Sequence, residues 1–264
     1  MSESLRVVIV GHGVIGSTVA ARVATGEVVG AELVAVVNRS PVANPPAQQL
    51  DLPAALKGAD LVVECAGQPV VHEIVDQVVS AGVDLLVTSV GALLDPELSG
   101  RLPQLGPGRV LATHGAVGGL DLLAAASRGG GFESVLMRTT KQPGALIRQW
   151  MEPEQIELLR TATEPVLVFS GTPNEAVALF PESLNIVAGV ATAIGSVEPL
   201  RVELYADPAA TMSTHRIQAR AQLGEYLFEV RNFPSRDNPR SSAITPFSVL
   251  HSISGLTQHP PAVL

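Results

Sequence analysis

The sequence LRVVIVGHGVIG, residues 5–16, decides the fold of this chain. A mostly apolar run of strand length leads directly into glycines at the spacing G-x-G-x-x-G, and a helix-like stretch follows. In such a turn Gly11 permits the tight bend, Gly13 lets the backbone approach a pyrophosphate, and Gly16 allows the helix to pack closely on the strand. The start of the helix offers N–H groups and a positive dipole end to phosphates. The pattern predicts a dinucleotide site, with a plain tight turn as the alternative.

Short β-branched runs alternate with helix-length stretches through the first part of the chain. Runs that are apolar throughout are typical of strands buried on both faces of a parallel sheet. The alternation predicts an α/β, doubly wound Rossmann domain over residues 1–112. We expect its strands at 5–10, 33–37, 61–63, 85–87 and 109–112, and its helices at 14–25, 47–56, 70–81 and 96–105.

The pattern changes in the second part, where polar and apolar residues alternate in strand-length runs. Such alternation is typical of antiparallel strands with one wet face. It predicts a second, α+β domain over residues 113–240 with a mixed or antiparallel sheet, followed by a C-terminal helical segment at 241–264. We expect strands at 132–140, 201–206, 214–222 and 226–232, and helices at 117–127, 152–161, 180–194 and 241–256, the last capped by Ser241 or Ser242.

Composition narrows the class of protein. The chain has 264 residues, of which 46% are hydrophobic and 16% charged, and this excludes a disordered chain. A net charge of −8 argues against a nucleic-acid or anionic-membrane partner. The single cysteine excludes a disulfide framework, and no histidine pair has metal-ligand spacing, so no metal is expected. Apolar runs are far shorter than a membrane span, and the N-terminus is unlike a signal peptide. We therefore expect a cytoplasmic protein.

The loops that follow the strands of a parallel sheet should surround the dinucleotide. After the second strand Asn38 and Arg39 stand where an acidic residue would select NAD; Arg39 can pair with a 2′-phosphate, so the sequence favours NADP over NAD. A solvated Arg39 is the alternative. Cys65 is expected to be a small buried residue and not a nucleophile. The residues expected to contact the cofactor here are Gly11, Gly13, Val14, Ile15, Gly16, Asn38, Arg39, Cys65, Ala66, Gly67, Ser89, Val90 and Gly91.

Segments of the second part resemble a known family when taken in order. They are GAVGGLD at 115–121, KQP at 141–143, FPESLNIVA at 180–188, and ADP at 206–208 with HRI at 215–217. Together with the loops of the first domain, they resemble the L-aspartate dehydrogenase family over nearly the whole chain. The resemblance implies NAD(P)-dependent oxidation of L-aspartate to iminoaspartate, which hydrolyses to oxaloacetate and ammonia or feeds quinolinate synthesis. It also implies a homodimer, a C-terminal helix that returns to the nucleotide domain, a catalytic His215, and cofactor contacts by Ala116 and Asn185.

Two segments depart from the family pattern. Thr113 and His114 stand near a proline–serine pair of the family, and Gln142 interrupts its Lys-Pro-Pro. These changes leave the substrate less certain than the type of reaction. An imine reductase or dehydrogenase acting on another small amino or imino acid is the alternative, and a non-catalytic NAD(P)H sensor is a third hypothesis.

The residues themselves offer candidates for this chemistry. A histidine titrating near neutrality suits proton transfer to and from an amine, so His215 is the candidate acid/base, with a structural histidine as the alternative. Lys141 is the first choice for a substrate carboxylate, although a solvated lysine is nearly as good an interpretation. His114 is a second substrate candidate or a plain loop residue. Asn185, in an otherwise apolar helix, could bind substrate or the nicotinamide carboxamide, or form a core hydrogen bond.

Overall fold

The computed structural model describes residues 4–181 and 183–257, and these divide into two compact units. The first unit is formed by the chain up to Gly115 together with the segment that begins at Thr245, and the second runs from Ala116 to Ile244. Within the described ranges, no helix is long and apolar enough to cross a membrane.

The first unit contains a five-stranded sheet in which every strand is parallel to its neighbours. The order is β2-β1-β3-β4-β5, so the strand order reverses between β1 and β3. This is the doubly wound α/β fold that the sequence predicts. The strands are β1 (Leu5–Val10), β2 (Ala31–Val37), β3 (Leu61–Glu64), β4 (Asp84–Val87) and β5 (Val110–Ala112).

Helices cover both faces of this sheet, which explains why its strands are apolar throughout. Successive residues of a strand point to opposite faces. Val8 of β1 belongs to the core shared with α3, whereas Ile9 belongs to the core shared with α1 and α9. The C-terminal α9 packs on α1, and the Arg22 guanidinium lies 4.8 Å from the centre of the Phe247 ring. The helices are α1 (Val14–Ala24), α2 (Leu52–Leu56), α3 (Gln68–Ser80), α4 (Pro96–Arg101) and α9 (Thr245–Leu256).

Two helices of the first unit begin later than the sequence predicts. The expected helix at 47–56 is wrong in its first half, because Gln48 and Leu50 hydrogen-bond to Val36 of β2 and the Asp51 side chain then caps α2. The last helix begins at Thr245, and Ser241 does not cap it, since its hydroxyl donates to the Asn238 carbonyl oxygen.

The second unit contains a mixed sheet in the order β10-β9-β6-β8-β7. β6 and β8 are parallel and the other pairs are antiparallel. Alternate residues of β6 and β9 are buried, so one face of the sheet is covered. The strands are β6 (Phe132–Lys141), β7 (Val166–Gly171), β8 (Leu200–Ala206), β9 (Ser213–Ala221) and β10 (Gly224–Asn232); the helices are α5 (Leu120–Arg128), α6 (Pro153–Thr161), α7 (Pro173–Leu179) and α8 (Asn185–Ile194).

The expected helix at 180–194 is wrong in its first turn, and β7 and α7 before it were not expected. α7 ends at Leu179 because the backbone of a residue that precedes a proline avoids the helical conformation, and Phe180 precedes Pro181. The Phe180 side chain is fully buried, with its ring in edge contact with those of Trp150 and Phe169. α8 then begins at Asn185.

Candidate functional site

The glycine turn has the close packing that its sequence predicts. Gly11 adopts φ +94°, and a Cβ built there would lie 2.8 Å from the Cys65 carbonyl group and from the Ala66 Cβ. A Cβ on Gly16 would overlap the carbonyl oxygen of Gly11. These two glycines therefore allow β1, β3 and α1 to meet where the strand order reverses.

Gly13 has a different environment. It is the N-cap of α1 and has φ −79°, and apart from its own atoms and its two chain neighbours no described residue has an atom within 4 Å of an ideal Cβ built on it. The backbone here is therefore open to a ligand, and no side chain caps the helix. The first-turn residues Val14 and Ile15 have N–H groups without an acceptor inside the helix. Exposed backbone, free N–H groups and a positive helix end fit a dinucleotide pyrophosphate.

Glu64, at the end of β3, organises the loops beside the turn, and it is not among the site residues predicted from the sequence. Its carboxylate is fully buried. It accepts hydrogen bonds from the N–H groups of Ala66 (2.6 Å), Gly67 (2.7 Å) and Ser89 (2.9 Å), and from the Ser89 hydroxyl (2.9 Å). These charge-assisted bonds offset the cost of burying the carboxylate. Glu64 thereby joins the loop after β3 to the loop after β4.

The other residues of these loops differ in accessibility. Val90 and Gly91 are buried in a 3₁₀ turn after β4. Cys65 lies beside Thr88, with 3.7 Å between its Sγ and the Thr88 Oγ1. Burial, together with the nearby Glu64 charge, raises the pKa of the Cys65 thiol to about 12. The thiol is therefore protonated at neutral pH, which agrees with a packing role and argues against a nucleophile.

Asn38 and Arg39 follow β2. The Asn38 side chain accepts a hydrogen bond from the His12 N–H (3.1 Å) and donates one to the Ser40 carbonyl oxygen (2.9 Å), so it fixes the end of β2 against the glycine turn. Arg39 is exposed. No carboxylate stands among residues 38–40, so nothing in this loop repels a phosphate.

In the second unit, a polar cluster lies on the covered face of the sheet. Thr139 of β6 is opposite His215 of β9, and their side chains are 0% and 2% exposed. The Thr139 Oγ1 lies 3.0 Å from the His215 Nδ1. Lys141 is on the same face and is 3% exposed. The strand alternation brings all three side chains to one place.

Burial changes the acid–base behaviour of His215. The loss of hydration, and secondly the positive charge of Lys141, lower its pKa to about 3. The expectation that this histidine titrates near neutrality is therefore wrong for the folded chain. His215 is neutral at pH 7, and its hydrogen-bond partner is a hydroxyl and not a carboxylate.

Lys141 stands at the wall of a cavity of about 420 Å³. Its ammonium group donates to the Arg240 carbonyl oxygen (2.8 Å), and this bond holds the loop that contains Asn238 and Arg240. Ser213, which is nearly buried, is also in the wall. The interpretation of Lys141 as a solvated surface lysine is therefore wrong.

The remaining candidates are Asn185, Ala116 and His114. Asn185 is the first residue of α8, and not inside an apolar helix as the sequence suggested. Ala116 is buried and its carbonyl oxygen accepts a hydrogen bond from the Asn232 side chain (2.9 Å). His114 is exposed after β5, with its ring centre 6.3 Å from that of His251. Among the residues that the structure describes, no cluster of histidine, cysteine and acidic side chains could hold a metal ion.

Two family models match the chain. Residues 11–107 match the model described as homoserine dehydrogenase, NAD binding domain, and residues 121–256 match aspartate dehydrogenase, C-terminal. The doubly wound fold and the glycine turn agree with the NAD-binding model, and both models describe dehydrogenases, so the chain is a dehydrogenase with an NAD-binding domain. "L-aspartate dehydrogenase 3" of Bordetella bronchiseptica is 35% identical over 94% of this chain and 93% of its own length. "L-aspartate dehydrogenase" of Ruegeria pomeroyi is 33% identical over 95% of this chain and 92% of its own length. The chain belongs to the L-aspartate dehydrogenase family.

A solved structure supports the fold independently of close sequence similarity. The crystal structure of aspartate dehydrogenase from Thermotoga maritima covers 98% of this chain and 99% of its own, with a TM-score of 0.76 at 24% identity. The likeness extends through both units.

The environment of Gly13 generates a testable prediction. Gly13→Ala meets no residue beyond its chain neighbours, so the only cost to folding is that of alanine at an N-cap, about 1 kcal/mol or less, and the melting temperature should fall by no more than about 4 °C. The methyl group would nevertheless stand where the backbone meets the pyrophosphate, so we expect the Kd for NADPH to rise by about tenfold or more, equivalent to roughly 1.4 kcal/mol. Calorimetric titration measures this Kd.

The matched control is Gly58→Ala, since a Cβ built there also has no neighbour within 4 Å. It should leave both the melting temperature and the Kd unchanged. Unaltered NADPH affinity in Gly13→Ala would show that the cofactor does not approach this backbone.

Proposed function

We propose that this chain catalyses the NAD(P)-dependent oxidative deamination of L-aspartate. The overall reaction converts L-aspartate, NAD(P)⁺ and water to oxaloacetate, ammonia, NAD(P)H and a proton, through iminoaspartate. The observation that carries the proposal is the buried His215–Lys141 cluster in a chain whose relatives, alike over nearly their whole length, are named L-aspartate dehydrogenases.

The cofactor would be held by the glycine turn. Gly13, Val14 and Ile15 would present N–H groups to the pyrophosphate, and Ala116 and Asn185 are proposed as further contacts. When bound, the nicotinamide supplies the hydride acceptor for the substrate Cα–H. The protein's part is to bind and orient both molecules and to manage the protons.

His215 is proposed as the group that accepts and returns the protons of the reaction. The substrate ammonium must lose a proton before its Cα–H can leave as hydride, and the imine must later be attacked by water. The Nδ1 of His215 lies 3.0 Å from the Thr139 Oγ1, so Nε2 is proposed as the nitrogen that exchanges protons. Nε2 would accept the proton from the ammonium and release it to solvent before the second step. It would then accept a proton from the attacking water and return it to the amine nitrogen, which leaves as ammonia.

Lys141 is proposed to select a substrate with two carboxylates. A carboxylate placed beside its ammonium group would gain a charge-assisted hydrogen bond. It would also offset the positive charge that helps to keep His215 neutral, and so raise the pKa of His215 towards the range in which the ring accepts a proton. Binding of a dicarboxylate would thus raise the pKa of His215 and make it a better base. A monocarboxylate would raise this pKa less. His114 is a further proposed substrate contact.

The cofactor is proposed to be NADP in preference to NAD, since Arg39 is exposed after β2 and no acidic residue accompanies it. The homodimer implied by the family resemblance and the cytoplasmic location expected from the sequence stay predictions.

Arg39→Ala tests the cofactor preference. A guanidinium–phosphate hydrogen bond contributes about 1.5–3 kcal/mol, so the KM for NADP should rise on the order of 10-fold to 100-fold while the KM for NAD changes little. Steady-state kinetics with each nicotinamide measure both values. Arg128→Ala, at an exposed arginine of α5, is the control and should change neither. Equal effects of Arg39→Ala on the KM for NADP and the KM for NAD would show that Arg39 does not contact the 2′-phosphate.

His215→Asn tests the function itself. We expect wild-type turnover of L-aspartate with NADP or NAD, and a loss of kcat on the order of 10²–10⁴ in the variant because general acid–base catalysis contributes that much. The exposed His72→Asn should keep full activity. The assay should include other amino acids, and oxaloacetate with ammonia in the reverse direction.

Three results would contradict the proposal in different ways. Full activity of His215→Asn would remove the assigned role of the imidazole. Turnover of another amino or imino acid in place of aspartate would favour the imine-reductase alternative. Tight NADPH binding without hydride transfer to any of these compounds would indicate a sensor.

A further inference from the structure

We propose that Thr139 is the positioning residue of His215: its hydroxyl holds the ring through Nδ1 and so makes Nε2 the nitrogen that exchanges protons. This inference rests on the proposed function for its consequence in catalysis. The contact on which it is built is a property of the second unit alone.

The geometry of the pair is fixed by the backbone. Thr139 and His215 are direct partners in the antiparallel ladder of β6 and β9, and the ladder continues on both sides of them. Side chains of such partners are neighbours on one face of a sheet. The 3.0 Å separation of Thr139 Oγ1 and His215 Nδ1 is a full hydrogen bond, shielded by the near-complete burial of both residues. Water therefore does not compete for it.

A hydroxyl in this position differs from a carboxylate in its charge. For Nε2 to accept a proton, Nδ1 of the neutral ring must keep its hydrogen and donate it to a lone pair of the Thr139 Oγ1. The imidazolium also carries a hydrogen on Nδ1, so the same hydrogen bond holds the ring in both forms. Because the hydroxyl is neutral, it positions the ring without adding a negative charge that would raise the pKa of His215 permanently.

The positive charge of Lys141 supports separate roles for Thr139 and the substrate carboxylate. Lys141 is the charged side chain that acts on His215, and it lowers the pKa of the ring. An aspartate in place of Thr139 would neutralise that effect at all times. With threonine, the charge that activates the base has to come from the substrate. Thr139 orients the His215 ring, and the substrate carboxylate raises the pKa of that ring.

The test compares Thr139→Val with Thr139→Ser. Valine keeps the β-branched shape and loses the hydroxyl, whereas serine keeps the hydroxyl. We expect Thr139→Val to lower kcat for L-aspartate on the order of 10-fold to 100-fold, the loss seen when a metal-bound histidine loses the group that orients it, with little change in KM. Thr139→Ser should retain most of the activity. The melting temperature and NADPH affinity show whether each variant is folded.

A second readout does not need turnover. Long-range ¹H–¹⁵N spectra of ¹⁵N-histidine-labelled protein report which ring nitrogen carries hydrogen, and His215→Asn identifies the signals of His215. Thr139→Val should shift the Nδ1 signal and the balance of tautomers, while Thr139→Ser should keep the wild-type pattern. Unchanged His215 signals in Thr139→Val would overturn the proposal, and so would wild-type kcat in that variant.

These two readouts separate failure of this inference from failure of the proposed function. If no variant or wild type oxidises L-aspartate, the proposed function fails, and the nitrogen spectra still decide whether Thr139 holds the ring. If wild type is active and Thr139→Val equals it in kcat and in spectrum, Thr139 is only a packing residue.

Discussion

Burial of three polar side chains on the covered face of one sheet is the constraint on which the rest of this account depends. His215, Thr139 and Lys141 are almost without solvent contact. Loss of hydration disfavours a charged imidazole, so the ring is neutral and must be held by a hydrogen bond to remain stable. The same loss of hydration strengthens the effect of any added charge on the pKa of His215, because little water is present to screen that charge. A substrate carboxylate near Lys141 would consequently alter His215 far more than it would on the surface.

In the first unit the constraint is the close approach of backbone segments at the glycine turn. Gly11 and Gly16 remove side chains where β1, β3 and α1 approach one another. Glu64 buries a full negative charge to tie the loops after β3 and β4 together. Of the three glycines in the turn, Gly11 and Gly16 are closely packed, whereas a Cβ built on Gly13 meets no residue beyond its chain neighbours. Loops that are already tied together lose less entropy when a polyanionic cofactor binds.

The fold was predictable because its signals are local. Continuous apolar runs indicate buried parallel strands, and the glycine spacing indicates the turn after β1. The missed α7 also had a local signal, since Thr172 and Glu175 form a capping box around Pro173. The site was less predictable. Glu64 could have been suspected as a charge ending an apolar strand, but Thr139 depends on the register of β6 with β9, which composition and periodicity do not fix.

Transfer of the substrate's Cα hydrogen to the nicotinamide is the step that distinguishes an L-aspartate dehydrogenase from a protein that only binds the cofactor. L-[2-²H]aspartate is incubated with the protein and NADP or NAD, and the reduced nicotinamide is analysed by mass spectrometry. This account predicts one deuterium on the reduced cofactor, with oxaloacetate and ammonia formed in equal amounts. Reduced cofactor without deuterium, or no reduction of either nicotinamide, would contradict it.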